Sequence, residues 1–221
     1  MTNKANISTL ACVGAFWIFL SPSLFVQADD WGRFRGPNGN GYSAEAKFPA
    51  TFKIEDALWQ CPVPGNGNSS PVVGGGNIYV TSADPETSER KLTAIAVKSG
   101  KNAWSVEFPL QVFKAHKRNG FASSTPCADE RHVYVLWQSA TNSAIHALNH
   151  AGKKVWTYEL GGFAAGPGCA TSPILHGGRL LLTHDNEKHE SFLLALDADT
   201  GTECWKTLRK TQRTGFSTPV I

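Results

Sequence analysis

His184-Asp185, with His189 close behind, is the segment of this chain best equipped for chemistry. Imidazole titrates near neutral pH and serves as a general base or a metal ligand. Here no third ligand and no nucleophile stands at a diagnostic spacing, so both histidines read as surface residues. Ser69, Ser124 and Ser172 lack a paired histidine motif and read as turn and strand-start residues. The glycines of segment 36–41 (GPNGNG) are no dinucleotide fingerprint, which needs a strand before and a helix after. Cys61, Cys127, Cys169 and Cys204 follow no zinc spacing. They read as small core residues or as disulfide partners, with the pairing open. The sequence therefore assigns no catalytic residue and no metal site.

Charge says more. Lys114, His116, Lys117 and Arg118 form one basic cluster, and Arg209, Lys210 and Arg213 form another. Two acidic clusters alternate with them: Asp84, Glu86 and Glu89, then Asp185, Glu187 and Glu190. Charges of one sign gathered at a concave surface raise the local concentration of the opposite ion. The basic clusters thus nominate a binding site for an anionic ligand or a protein, provided the fold brings them to one rim.

What positions them is a repeat. Ala195 to Trp205 reads ALDADTGTECW, and weaker copies run from Ala94 to Trp104 (AIAVKSGKNAW) and from Ala147 to Trp156 (ALNHAGKKVW). Each has a small apolar residue, then a glycine (Gly100, Gly152, Gly201), then a tryptophan four residues beyond it; Asp197 and Thr200 complete the third copy. Trp59, Trp104, Trp156 and Trp205 are spaced by 45, 52 and 49 residues. A second marker keeps the same phase: Pro71, Pro126, Pro173 and Pro219, each preceded by Ser or Thr, are 55, 47 and 46 residues apart. A strand-rich period of roughly 40–50 residues is the mark of propeller blades.

Four strands fit each repeat. In the first they are 71–73, 77–82, 92–97 and 102–108; in the third, 173–175, 179–183, 192–197 and 202–208. β-Branched and aromatic residues fill these runs, and glycine or polar turns separate them. The fold expected is all-β: a propeller of four-stranded antiparallel blades, at about 69–108, 123–160 and 171–208. Segment 57–63, around Trp59, reads as a closing strand, and 217–221 as the start of another blade. Three blades do not close a ring, so the chain reads as part of a longer propeller of about seven or eight blades. In such a blade the loops at 84–90, 109–122, 161–170 and 185–190 share one face, and long loops on a rigid scaffold are where binding resides.

Residues 1–28 stand apart. Lys4 is their only charged side chain, an apolar run spans Leu10 to Leu20, and Val26-Gln27-Ala28 offers a small-residue cleavage site. That is the layout of a secretory signal, and the run is short for a membrane span of about 20 residues. The expectation is an exported protein, periplasmic or extracellular, with no stable membrane span after cleavage. Without this segment the net charge falls from +3 to +2, which makes no global case for nucleic-acid binding. Residues 29–56 read as an irregular leader.

The motif Ala195-x-Asp197-x-x-Thr200-Gly201-x-x-x-Trp205 resembles the tryptophan-docking motif of quinoprotein-type propellers. That group includes the pyrroloquinoline-quinone (PQQ) dehydrogenases and the cofactor-free outer-membrane assembly lipoproteins. The first copy departs from it at Ala96 and Ser99, and the second at Asn149 with one residue deleted. Trp31-Gly-Arg-Phe-Arg-Gly-Pro37 is similar to the leader of secreted PQQ-like repeat proteins. The resemblance implies two functional classes. One is a non-catalytic binding scaffold without cofactor; the other is a periplasmic alcohol or sugar dehydrogenase using PQQ with calcium. A sensor portion of a larger signalling protein is a third. The dehydrogenases carry a vicinal Cys-Cys disulfide, and no Cys-Cys dipeptide occurs here, which favours the scaffold.

Overall fold

In a computed structural model, residues 31–43, 49–114 and 116–221 are described. The secretory signal expected at 1–28 lies outside them. Among the described residues, no helix is long and apolar enough to cross a membrane.

Among the described residues, glycine and polar turns separate twelve strands. The first sheet contains β1 (Val72–Gly74), β2 (Asn77–Asp84), β3 (Glu89–Ala96) and β4 (Asn102–Pro109). The second contains β5 (Cys127–Ala128), β6 (His132–Trp137), β7 (Ser143–Asn149) and β8 (Lys154–Gly161). The third contains β9 (Ile174–His176), β10 (Arg179–His184), β11 (Ser191–Asp197) and β12 (Glu203–Arg209). Each sheet is antiparallel, with its strands paired in chain order. These are the three blades that the repeat predicts. The short first strands β1, β5 and β9 lie against one another in sequence, so they mark the inner side.

Two cores glue the blades face to face. Leu92, Ala94 and Phe108 of the first blade pack against Val133, Val135, Trp137 and Leu148 of the second. Tyr134, Leu136, Ile145 and Ala147 of the second pack against Leu180, Leu182, Leu194 and Leu196 of the third. Strict alternation along β6 explains how one sheet serves both: 133, 135 and 137 point backward, 134 and 136 forward.

The repeated tryptophan fastens each blade to the next. Trp104 Nε1 donates to His150 O at 2.8 Å, and Trp156 Nε1 donates to Ala198 O at 3.0 Å. Each ring lies flat over the glycine of the following blade's turn. A Cβ on Gly152 would sit 2.9 Å from the Trp104 ring, and one on Gly201 would sit 2.6 Å from Trp156. Both glycines also have positive φ (83° and 71°), so any side chain there is excluded twice. A tyrosine on the second strand reinforces the joint. Tyr134 donates to Asp129 Oδ2 at 2.7 Å and to Ala198 O at 3.1 Å.

On the inner side, the serines and threonines before each proline tie neighbouring blades together. Ser70 N donates to Thr125 Oγ1 at 3.0 Å, and Thr125 N donates to Ser172 Oγ at 3.0 Å. The leader runs along the same side. Its carbonyls at Trp31 and Gly32 accept from Val73 N (2.9 Å) and Ala128 N (2.7 Å), filling the open edges of β1 and β5.

Two expectations are corrected. Segment 57–63 forms no strand, because no other strand of its own blade is present among the described residues to pair with it. Trp59 nonetheless docks like its homologues, donating to Val97 O at 3.0 Å above Gly100. Segment 217–221 likewise forms no strand; Ser217 O only accepts from Thr171 and Thr183 hydroxyls.

Trp205 has no following turn to cover among the described residues, and it is 37% exposed. Urea denaturation of the 221-residue chain therefore separates two similar substitutions. Trp156→Ala costs about 3 kcal/mol, while Trp205→Ala costs less than about 1 kcal/mol.

Candidate functional site on the long-loop face

Of the nominated basic residues, Lys114, His116, Lys117 and Arg118 are exposed on the loop between the first two blades. That loop is held firmly. His116 N donates to Pro167 O at 3.2 Å, and Asn119 Nδ2 donates to Pro167 O and Cys169 O at 2.9 and 3.2 Å. Asn68 Nδ2 donates to Arg118 O at 3.4 Å from the other side. Residues 116–122 and 162–172 thus form one surface.

The second basic cluster divides. Arg209 Nε lies 3.2 Å from Asp185 Oδ1, so the exposed Arg209 is paired with a buried carboxylate. Lys210 and Arg213 are exposed. None of the seven basic residues lines the cavities described below.

The acidic clusters also change character. β2 and β3 run on past their expected ends through the pairs Ala83↔Arg90 and Asp84↔Glu89, leaving a turn of only 85–88. Glu89 and Glu107 both hold Lys91, at 3.1 and 3.0 Å. Ladder hydrogen bonds, longer than the apolar run itself, carry those strands outward.

His184 is the largest departure from the sequence reading: it is 1% exposed. It stacks on Phe192 with ring centres 4.7 Å apart and meets Phe163 edge-on. Amide nitrogens of Gln138 and Asn186 flank its ring nitrogens at 3.4 Å each. Asn186 in turn donates to Gly162 O at 2.9 Å and accepts from Ala164, Lys188 and His189 N–H groups. His189 itself is exposed, as expected.

A buried arginine extends this polar belt into the first blade. Arg90 Nη1 donates to Gln138 O at 3.0 Å and Nη2 to Pro109 O at 2.9 Å. Its guanidinium lies 5.0 Å from the centre of the Trp137 ring. Burial pulls its pKa down to about 10, which still leaves it charged at neutral pH. The sequence reading missed Arg90, Trp137 and His184, although the signal was there. Arg90 is two residues before Leu92, Trp137 two after Val135, and His184 two after Leu182; all fall in phase with the inward face.

Beside Arg90, a cleft of about 340 Å³ opens between the first two blades, with Phe108, Trp137, His146 and Lys154 among its walls. Phe108 stacks near His146 at 4.8 Å, and the Lys154 ammonium lies 5.5 Å from the Phe108 ring centre. Burial, then the Lys154 and Arg90 charges, lower the His146 pKa to about 4. The imidazole is neutral at pH 7 and accepts from or donates to Thr157 Oγ1 at 2.9 Å.

A second hollow, of about 320 Å³, lies on the inner side, lined by Phe34, Asn68, Asn119, Ser123, Ser172 and Phe216 among others. Arg33 and Arg35 line its neighbour. No carboxylate lines either hollow, so neither supplies the anionic oxygens that calcium prefers. Among the described residues, no group of His, Cys, Asp or Glu is arranged to hold a metal. The four cysteines are free thiols, Cys127 and Cys169 buried and Cys204 exposed, so the disulfide reading gives way to the core reading for the buried pair.

A profile of the family described as outer membrane protein assembly factor BamB matches residues 88–221. No curated protein matches the chain. Among solved structures, it is similar to the quinohemoprotein alcohol dehydrogenase from Comamonas testosteroni at 21% identity and TM-score 0.48, over 65% of this chain and 21% of that one. Similarity to a europium-containing methanol dehydrogenase covers 62% of this chain and 24% of that one, at 18% identity and TM-score 0.46. For the quinohemoprotein alcohol dehydrogenase ADHIIG from Pseudomonas putida HK5 the values are 66% and 21%, at 17% identity and TM-score 0.47. The chain spans less than a quarter of the length of each of these enzymes.

Burial lowers the His184 pKa to about 4, below the unfolded value of about 6.5. The unfolded state therefore binds the proton first. Its contribution is complete above pH 6.5 and is lost as the pH falls toward 4. At pH 5 the loss from this one group is about 2 kcal/mol. Urea midpoints at pH 7.5 and pH 5 should differ by less in His184→Leu than in the unsubstituted protein.

Proposed function

The chain belongs to the PQQ-like repeat family of the outer membrane protein assembly factor BamB, and on that basis we propose that it is a non-catalytic binding scaffold. In this reading it is exported, works in the periplasm or outside the cell as part of a longer propeller, and recognises an acidic protein surface through its long-loop face.

One observation carries the reading: the long loops of successive blades are tied to one another by backbone groups and by two asparagine side chains. His116 and Asn119 reach across to Pro167 and Cys169, and Asn186 reaches back to Gly162 and Ala164. A surface held this way loses little conformational entropy when a partner docks. The tied loop also presents Lys114, Lys117 and Arg118 to solvent, where they attract an acidic partner over about 8–10 Å at physiological salt. The dehydrogenase alternative would need calcium ligands, and among the described residues no carboxylate lines either inner-side hollow.

Immobilised poly-L-glutamate is a suitable acidic probe. Binding should weaken with added salt and fall at least tenfold when Lys114→Glu, Lys117→Glu and Arg118→Glu are combined. Equal binding by the triple variant would sink the surface assignment. A bound-quinone spectrum and dye-linked alcohol oxidation after adding PQQ and calcium would overturn the non-catalytic reading.

A further inference from the structure

We propose that the cleft between the first and second blades binds a carboxylate attached to an aromatic or other apolar group. This rests on the scaffold reading and names a specific pocket on the loop side of the same protein.

The argument begins with an unbalanced charge. Arg90 is 4% exposed, and its two terminal nitrogens are spent on the uncharged acceptors Gln138 O and Pro109 O. Among the described residues no carboxylate lies within 4.0 Å of it, and Arg90 Nε has no acceptor. Trp137 Nε1, on the ring against which the guanidinium rests, also has no acceptor. Buried donors of this kind are rare because each forfeits its solvation without return, and a buried cation without a counter-ion forfeits most. The bonds to Gln138 and Pro109 and the contact with Trp137 tie the blades together, but they leave the charge unbalanced and both N–H groups unsatisfied. A ligand can supply what is missing.

The cleft supplies the space and the remaining chemistry. Its volume of about 340 Å³ lies at the low end of ligand pockets, enough for one ring and a short acid. Phe108 and Trp137 form apolar walls, and Lys154 adds a second cation. Glu107 and Glu159 also line the cleft. Glu107 is already paired with Lys91, whereas Glu159 sets an electrostatic limit that disfavours dianions such as phosphate. A monoanionic carboxylate fits that balance. Both unpartnered N–H groups are buried in the free protein, so seating the acid requires the cleft wall to yield and uncover them.

Isothermal titration of the full chain with N-acetyl-phenylalanine, its uncharged amide and 3-phenylpropionate tests the proposal. Both acids are expected to bind and the amide to bind at least tenfold more weakly. Binding of N-acetyl-phenylalanine alone would support the same pocket and identify a peptide C-terminus as its source; binding of both identifies any apolar acid. Equal binding of the amide, or no binding by either acid, overturns the proposal. Arg90→Gln should abolish acid binding. Should that variant fail to fold, Lys154→Met, altering an exposed outer-strand residue, should weaken it about tenfold; an unchanged constant there overturns the assignment. Poly-L-glutamate binding by the unsubstituted protein separates the two failures. If it persists while both acids fail, the cleft is wrong and the scaffold reading stands.

Discussion

Everything in this molecule depends on one contact: an indole ring from the outer strand of one blade lying flat on a glycine turn of the next. The ring buries apolar area, its N–H reaches a backbone carbonyl, and the glycine has neither a Cβ to clash nor a φ that another residue would adopt. Because the middle sheet buries both faces, one against each neighbour, the two hydrophobic cores exist only once the blades are stacked. The tryptophan sets the distance and angle at which that happens. The serine and threonine ties on the inner side then satisfy N–H groups that prolines and short strands leave without ladder partners.

The fold was legible because its markers are covalent and periodic. Glycine and tryptophan at constant separation, with proline in the same phase, located all three blades to within a few residues. Strand ends were less legible: Asp84 and Glu89 look like loop residues, yet the ladder carries them in register. Trp59 shows the opposite limit. Its side chain does what the motif says while its backbone forms no strand, since strand formation depends on partners that side-chain identity does not reveal.

The site was harder to see, and for a physical reason. Charge clusters advertise themselves in sequence, but whether a charge is solvated or paired depends on neighbours distant along the chain. Arg209 pairs with Asp185, while Arg90, read only as the end of the 84–90 loop, is the buried cation. His184 reads as a surface residue in sequence because no third ligand and no nucleophile stands at a diagnostic spacing from it. Alternation with Leu180 and Leu182 would have placed it inward. Polar residues in apolar phase are the signal to seek in such repeats.

The leader has a consequence for how the chain acquires its structure. Trp31 and Gly32 are made early, yet their hydrogen-bond partners are Val73 in the first blade and Ala128 in the second. Each blade's own hairpins join near neighbours and close quickly, whereas this clasp must wait until two blades have been synthesised and set side by side. The segment nearest the beginning of the fold is thus among the last to find its place. It works as a latch that engages only when the first joint between blades is correctly made.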